Sequence, residues 1–162
     1  VKSAAIPSGS SAYGGTPRAI PGTIQAEDYD NGGASVAYND LSAGNLGEEY
    51  RVTESVDISY SNKEGSNFIG WTQSGEWAKY SVNISTTKSY TLKMRVASAG
   101  AGKTVRIEID GATVATVTLP NTGSTDTWAT VTVSGINLTA GLRTLRVYNI
   151  SGGQSINYIK FQ

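Results

Sequence analysis

Neither cysteine nor histidine occurs anywhere in this 162-residue chain. Without cysteine there is no disulfide and no thiolate metal site. Without histidine, the usual general base near neutral pH and the commonest zinc ligand are both missing. A Ser-His-Asp or Cys-His catalytic arrangement therefore cannot be assembled from this chain, and only a mechanism using carboxylates alone survives. Charge is scarce too. Charged residues make up 16% of the chain, and thirteen basic residues balance thirteen acidic ones, so no net field draws in nucleic acid. Apolar runs last only a few residues, so no membrane-spanning helix is expected. The N-terminus shows no basic stretch followed by an apolar one; any export signal is expected to be removed or to lie upstream.

What is present is the composition of a secreted β-protein: nineteen glycines and many Ser, Thr and Val residues. The length suits one domain. Residues 1–15, with Ser8-Gly-Ser-Ser-Ala and Tyr13-Gly-Gly, read as a linker or tail, and 16–162 as the folded module. The clearest alternation is Tyr90-Thr-Leu-Lys-Met-Arg-Val96, with Tyr90, Leu92, Met94 and Val96 on one face. Val105–Ile109 repeats it, and Asp110-Gly111 is a two-residue hairpin turn into Thr113–Leu119. Further strands are predicted at Trp128–Val133, Leu142–Tyr148 and Ile156–Phe161, and upstream at Thr23–Tyr29, Tyr50–Ile58, Asn67–Thr72 and Trp77–Ile84. Short strands at this spacing predict an all-β fold, a two-sheet antiparallel β-sandwich.

Two features carry chemistry. Trp71-Thr-Gln-Ser-Gly-Glu-Trp77 sets two tryptophans around a Ser-Gly turn, and Trp128 follows a Gly/Ser/Thr-rich loop. Flat aromatic faces on strand ends suit stacking on sugar rings, whose C–H groups prefer the negative face of an indole. In Gln25-Ala-Glu27, period-two geometry puts Gln25 and Glu27 on one strand face, and Asn157 lies in the last strand. First and last strands of a sandwich are often neighbours, which would gather oxygen ligands of the kind Ca²⁺ takes. A polar strand edge would show the same spacing.

The succession Gln25-Ala-Glu-Asp-Tyr29, Gly44-Asn-Leu-Gly-Glu-Glu-Tyr-Arg51, Val56-Asp-Ile58, Gly70-Trp-Thr-Gln-Ser-Gly-Glu-Trp77 and Asn157-Tyr-Ile-Lys-Phe161 resembles carbohydrate-binding module family 6, from about Tyr13 to Gln162. The resemblance implies a jelly-roll sandwich, no catalysis and a structural calcium. It also implies a secreted, extracellular setting, a monomer, and a covalently linked catalytic domain that the module anchors to its polysaccharide. It implies that Gln25, Glu27, the Arg51 carbonyl and Asn157 hold the calcium, with Asn157 where many members have Asp. It implies that Trp71 and Trp128 clamp a sugar in the loops at one end of the sandwich. Ser155 falls where the family has an asparagine at the base of that site; Asn149, Gln154 or Asn157 would replace it if the loop is shifted. Trp77 falls on the concave sheet face, a second binding surface in some members. The loop from Tyr38 to Tyr50 is long, and Tyr38, Asn39, Asp40, Glu48 and Glu49 would rim the site, with Thr122–Asp126 opposite. That loop and a tryptophan at position 71 are more like members attached to β-1,3-glucan or agarose enzymes, with xylan and β-1,4-glucan as the other family ligands.

Two other readings remain open. A small glycosidase would pair Glu48 or Glu49 with Glu76 across a sugar. A structural or adhesive sandwich would bury Trp71 and Trp128 and bind no oligosaccharide.

Overall fold

The computed structural model describes residues 9–162; the first eight residues of the expected tail lie outside the described part. Twelve strands follow in order: β1 (Arg18–Ile20), β2 (Gly22–Gln25), β3 (Tyr38–Asn39), β4 (Ile58–Ser61), β5 (Ser66–Ile69), β6 (Trp77–Ile84), β7 (Lys88–Ser98), β8 (Lys103–Ile109), β9 (Ala112–Leu119), β10 (Trp128–Leu138), β11 (Gly141–Asn149) and β12 (Gln154–Phe161). They form two sheets. The first runs β1-β6-β11-β8-β9 with β3 also on β6; the second runs β10-β7-β12-β5-β4 with β2 also on β12. Pairing is antiparallel except for β1 on β6, which is parallel. No helix among the described residues is long and apolar enough to cross a membrane.

Alternation builds the core between the sheets. Tyr90, Leu92, Met94 and Val96 point inward from β7 as their spacing predicts, and meet Tyr80, Val82, Leu145, Val147, Val105 and Ile107 from the other sheet. Each such side chain contributes roughly 1.5–3 kcal/mol by leaving water. Asp110 and Gly111 both have positive φ (49° and 82°), as a two-residue hairpin of this twist requires. Between β12 and β7 the register steps from Ile156↔Val96 to Tyr158↔Arg95, so Asn157 is the extra residue of a β-bulge.

Two expectations are corrected. Tyr50–Ile58 is not a strand; only Ile58 enters the sheet, as the first residue of β4. Side chains claim the backbone there instead. Asn45 Oδ1 accepts the N–H groups of Gly47 and Ile58, Asn45 Nδ2 donates to Glu49 O, and Asp57 Oδ1 accepts from Leu46 N at 2.7 Å. The tail expected to end at Gly15 also packs on the domain from residue 9 onward. Ser11 exchanges backbone hydrogen bonds with Asn31, Ala12 is buried, and the Tyr13 ring lies 5.9 Å from that of Tyr50.

Candidate functional site

Three segments converge at one end of the second sheet. β5 runs out through Gly70 to Trp71, β12 starts behind Gly152-Gly153, and the loop between β9 and β10 brings in Thr125. Polar contacts lock them. Gly153 N donates to Thr72 O at 2.7 Å, Thr72 Oγ1 donates to Gln154 O at 2.7 Å, and Ser155 Oγ donates to Thr125 O at 2.8 Å. They enclose a pocket of about 240 Å³ lined by Phe68, Gly70, Trp71, Thr125, Gly153 and Ser155. Outside this lining, the Lys103 ammonium packs beside Gly153 and donates to Gly152 O at 2.6 Å.

Trp71 is 51% exposed and sits in left-handed backbone at φ 46°, a conformation costly for a bulky side chain. Strain of this kind, of order 1–3 kcal/mol, persists only where surrounding structure imposes it, and here it holds an indole at the pocket mouth.

Trp128 lies behind Phe68 rather than in the pocket lining. Its ring packs edge-on against Phe68, 5.2 Å between centroids. Its Nε1 donates to Asp126 Oδ1 at 2.7 Å and to Ser61 Oγ at 3.2 Å. Hydrogen bonds from Ser61 and Trp128 in turn hold the Asp126 carboxyl below its ordinary range. The residue of this loop that reaches the pocket is Thr125, three positions earlier.

Most of the expected rim is likewise used structurally. Tyr38 is buried, its hydroxyl accepting from Ser55 N at 3.2 Å. Asn39 Nδ2 donates to Gly75 O at 3.1 Å. Asn149 is buried between Glu76 O and Gln154 Nε2. Glu48 and Glu49 are exposed on their loop and line no part of the pocket. Glu76 is buried, its two oxygens accepting from Leu41 N (3.0 Å) and Gln73 N (2.8 Å). Burial raises its carboxyl above the ordinary value, and each of its oxygens accepts a backbone N–H. Of the residues expected at this end, the structure brings together Trp71, Ser155 and, from the Thr122–Asp126 segment, Thr125. Phe68, Gly70 and Gly153 went unread. Period two on β5 would have placed Phe68 and Gly70 on one face, and Gly152-Gly153 marks a close backbone approach.

The candidate metal ligands Gln25, Glu27 and Asn157 come from the end of β2 and from its neighbour β12. β2 pairs with β12 at Gln25↔Tyr158, and Ala26 N donates to Asn157 O at 2.9 Å. Gln25 Oε1 and Glu27 Oε2 are buried without any hydrogen-bond partner. Burial pushes the Glu27 carboxyl up to about 7. Asn157 Nδ2 donates to Ser66 Oγ at 2.8 Å, which turns its oxygen to the remaining acceptor role. Orphaned buried oxygens of this kind fit a hard cation. Among the described residues no three acidic groups are gathered for a metal, so the cluster offers one carboxylate with amide and carbonyl oxygens. The Arg51 side chain is elsewhere, between the Tyr29 and Tyr13 rings (3.6 and 4.4 Å) and paired with Glu54 at 2.8 Å; its carbonyl accepts from Glu54 N.

Trp77 lies on the outer face of the first sheet, at the start of β6 and opposite Tyr148 across the β6–β11 pairing, and it is not among the residues lining the end pocket.

Comparison with known proteins bears on the family. The sequence model of the carbohydrate binding module (family 6) matches residues 46–162. The chain is 28% identical over 128 residues to an isomaltosyltransferase from Sporosarcina globispora, covering 76% of this chain but only 12% of that protein. Among solved structures it is similar to the C-terminal family 6 module of a marine laminarinase from Zobellia galactanivorans (27% identity, TM-score 0.69, 86% of this chain and 97% of that one). It is also similar to a family 6 module of Cellvibrio mixtus lichenase 5A solved with cellotriose (27%, 0.67, 88% and 97%). A third is a family 6 module from Clostridium stercorarium solved with cellobiose (25%, 0.69, 91% and 98%).

Proposed function

This chain belongs to carbohydrate-binding module family 6, a family of non-catalytic binding modules, and from that premise we propose that it holds a β-linked glucan at the end pocket. The Trp71 indole stacks on one sugar ring while the Thr125 and Ser155 hydroxyls and the nearby Lys103 meet sugar hydroxyls. The observation that carries this reading is a half-exposed indole held in strained backbone at the mouth of a pocket of about 240 Å³. That volume is below the roughly 300 Å³ at which drug-sized pockets begin, and suits about one sugar residue. Support for a glucan comes from relatives solved with cellotriose and cellobiose and from the laminarinase module. With one indole instead of two, affinity for a single chain is modest and grows through valency.

The module works as the anchor of a longer, secreted polysaccharide-active enzyme; the match to 12% of an isomaltosyltransferase supports an attachment of this kind. A structural calcium would be held by Gln25 Oε1, the Glu27 carboxylate, Asn157 Oδ1 and the Arg51 carbonyl. When bound it neutralises the buried Glu27 charge. The chain's own residues do the rest: β2 lies on β12, so the cluster ties the start of the sandwich to its last strand.

Tryptophan fluorescence titrated with laminari-, cello-, xylo- and agaro-oligosaccharides tests the site, in wild type, Trp71→Ala and Trp128→Ala. A glucan series should saturate in wild type. Trp71→Ala should lose about 2 kcal/mol, roughly thirtyfold, without losing thermal stability. Trp128→Ala should instead lower the melting temperature, because it empties the Phe68 contact and removes one of the hydrogen bonds to Asp126. Equal binding by wild type and Trp71→Ala would overturn the end-pocket reading.

A further inference from the structure

The outer face of the first sheet carries a second, differently built surface. Register places Trp77, Tyr148 and Arg106 in one row across β6, β11 and β8, and Lys79, Arg146 and Glu108 in the next. Cations cover both rings. The Arg106 guanidinium lies 4.3 Å from the Tyr148 centroid, and Arg146 sits 5.6 Å from Tyr148 and 5.4 Å from Trp77. Lys79 Nζ is 5.1 Å from Trp77. A neutral sugar would have to displace a guanidinium to stack here.

Glu108 sets the orientation. Its side chain is 5% exposed, and its two oxygens accept from Arg106 Nε and Arg146 Nε. Each arginine thus spends its Nε–H on a shared buried carboxylate. Among the described residues neither guanidinium has a protein partner for its Nη groups, which end in side chains about a third exposed (31% and 29%). The Nη–H groups form the planar fork that pairs with carboxylate or sulfate oxygens. Three cationic side chains face one carboxylate on a molecule whose net charge is zero. The orienting carboxylate and the π-faces fix both guanidinia beforehand, so little rotamer freedom is lost when an anion arrives.

We propose that this sheet face binds an acidic saccharide, with Arg106 and Arg146 gripping a uronate carboxylate or a sulfate ester and Lys79 adding a third charge. The surface is independent of the end pocket: it takes the anionic group of a glycan, whereas Trp71 takes a neutral ring.

The test is affinity electrophoresis and calorimetry at low salt with an oligogalacturonate, a sulfated galactan oligosaccharide of the same length, and a neutral laminari-oligosaccharide. Arg106→Gln/Glu108→Gln/Arg146→Gln removes both cations together with the carboxylate, so no buried charge is stranded. Lys79→Gln changes only an edge of the surface. At least one acidic series should bind wild type and Trp71→Ala equally, weaken about tenfold or more in the triple variant and severalfold in Lys79→Gln, and fade as salt is raised. The series that binds identifies the acid as carboxylate or sulfate. Failure of both acidic series, or binding retained by the triple variant, would overturn the proposal, as would equal binding of linear polyphosphate. Laminari-oligosaccharide binding, abolished by Trp71→Ala but kept by the triple variant, reports separately on the end pocket.

Discussion

Trp128 gives its N–H to Asp126, packs edge-on against Phe68 and lies outside the lining of the end pocket. Trp71, half exposed, lines it. The same contrast holds among the carboxylates. Glu76 and Asp57 are buried acceptors for backbone N–H groups, raised by desolvation, while Glu64 is held below its ordinary 4.5 by two hydrogen bonds from Arg95 at 2.7 and 2.8 Å. A carboxyl whose folded pKa is depressed contributes stability that is present above its unfolded value and lost as pH falls through the folded one. Wild type should therefore melt higher than Glu64→Gln near neutral pH, and the gap should close as melting is followed from about pH 7 down to about pH 3. A gap that persists or widens in acid would mean that the Arg95 pair does not stabilise the fold.

At the scale of elements, the end pocket exists because loops approach each other more closely than side chains permit. A Cβ on Gly152 would lie 2.6 Å from Thr72 O and 2.8 Å from Gln73 Cα, both backbone atoms that cannot swing aside. The strand that carries Ser155 and the turn that carries Trp71 are therefore pressed together through this glycine. Gly152→Ala should cost about 2 kcal/mol by overpacking and should weaken oligosaccharide binding at the same time. Denaturant midpoints measured beside binding titrations check this; a stability loss with unchanged affinity would uncouple the contact from the pocket. The loop between β3 and β4 answers to the same logic. Hydrophobic content at Tyr50, Val52, Val56 and Ile58 suggests a strand, but Glu48 and Tyr50 take positive φ (55° and 53°) and Asn45 and Asp57 take up the backbone donors.

Across the whole molecule, the orphaned oxygens of Gln25 and Glu27 sit where the first part of the fold meets its last strand. A cation there acts on global stability, because it binds the folded chain and not the unfolded one. At a hundredfold excess over Kd it adds about 2.7 kcal/mol, or roughly 5–10 °C for a domain of this size. Chelation should lower the melting temperature by about that much, Ca²⁺ should restore it, and Glu27→Gln should respond to neither. An unchanged melting curve in chelator would remove calcium from the account.

Strand alternation from β6 to β12, the Asp110-Gly111 turn and the absence of His and Cys determined the sandwich and the exclusion of most catalysis, because period-two burial and turn chemistry are local properties. The motif order led to the family for the same reason. Only tertiary structure decided which tryptophan lines the end pocket, since the placement of Trp128 depends on Ser61 and Phe68, sixty or more positions away. It also decided that Thr125 and Ser155 share a pocket and that Glu108 aligns two arginines from different strands. Such placements are set by loop packing and cross-strand register, which bring together residues that no spacing along the chain relates.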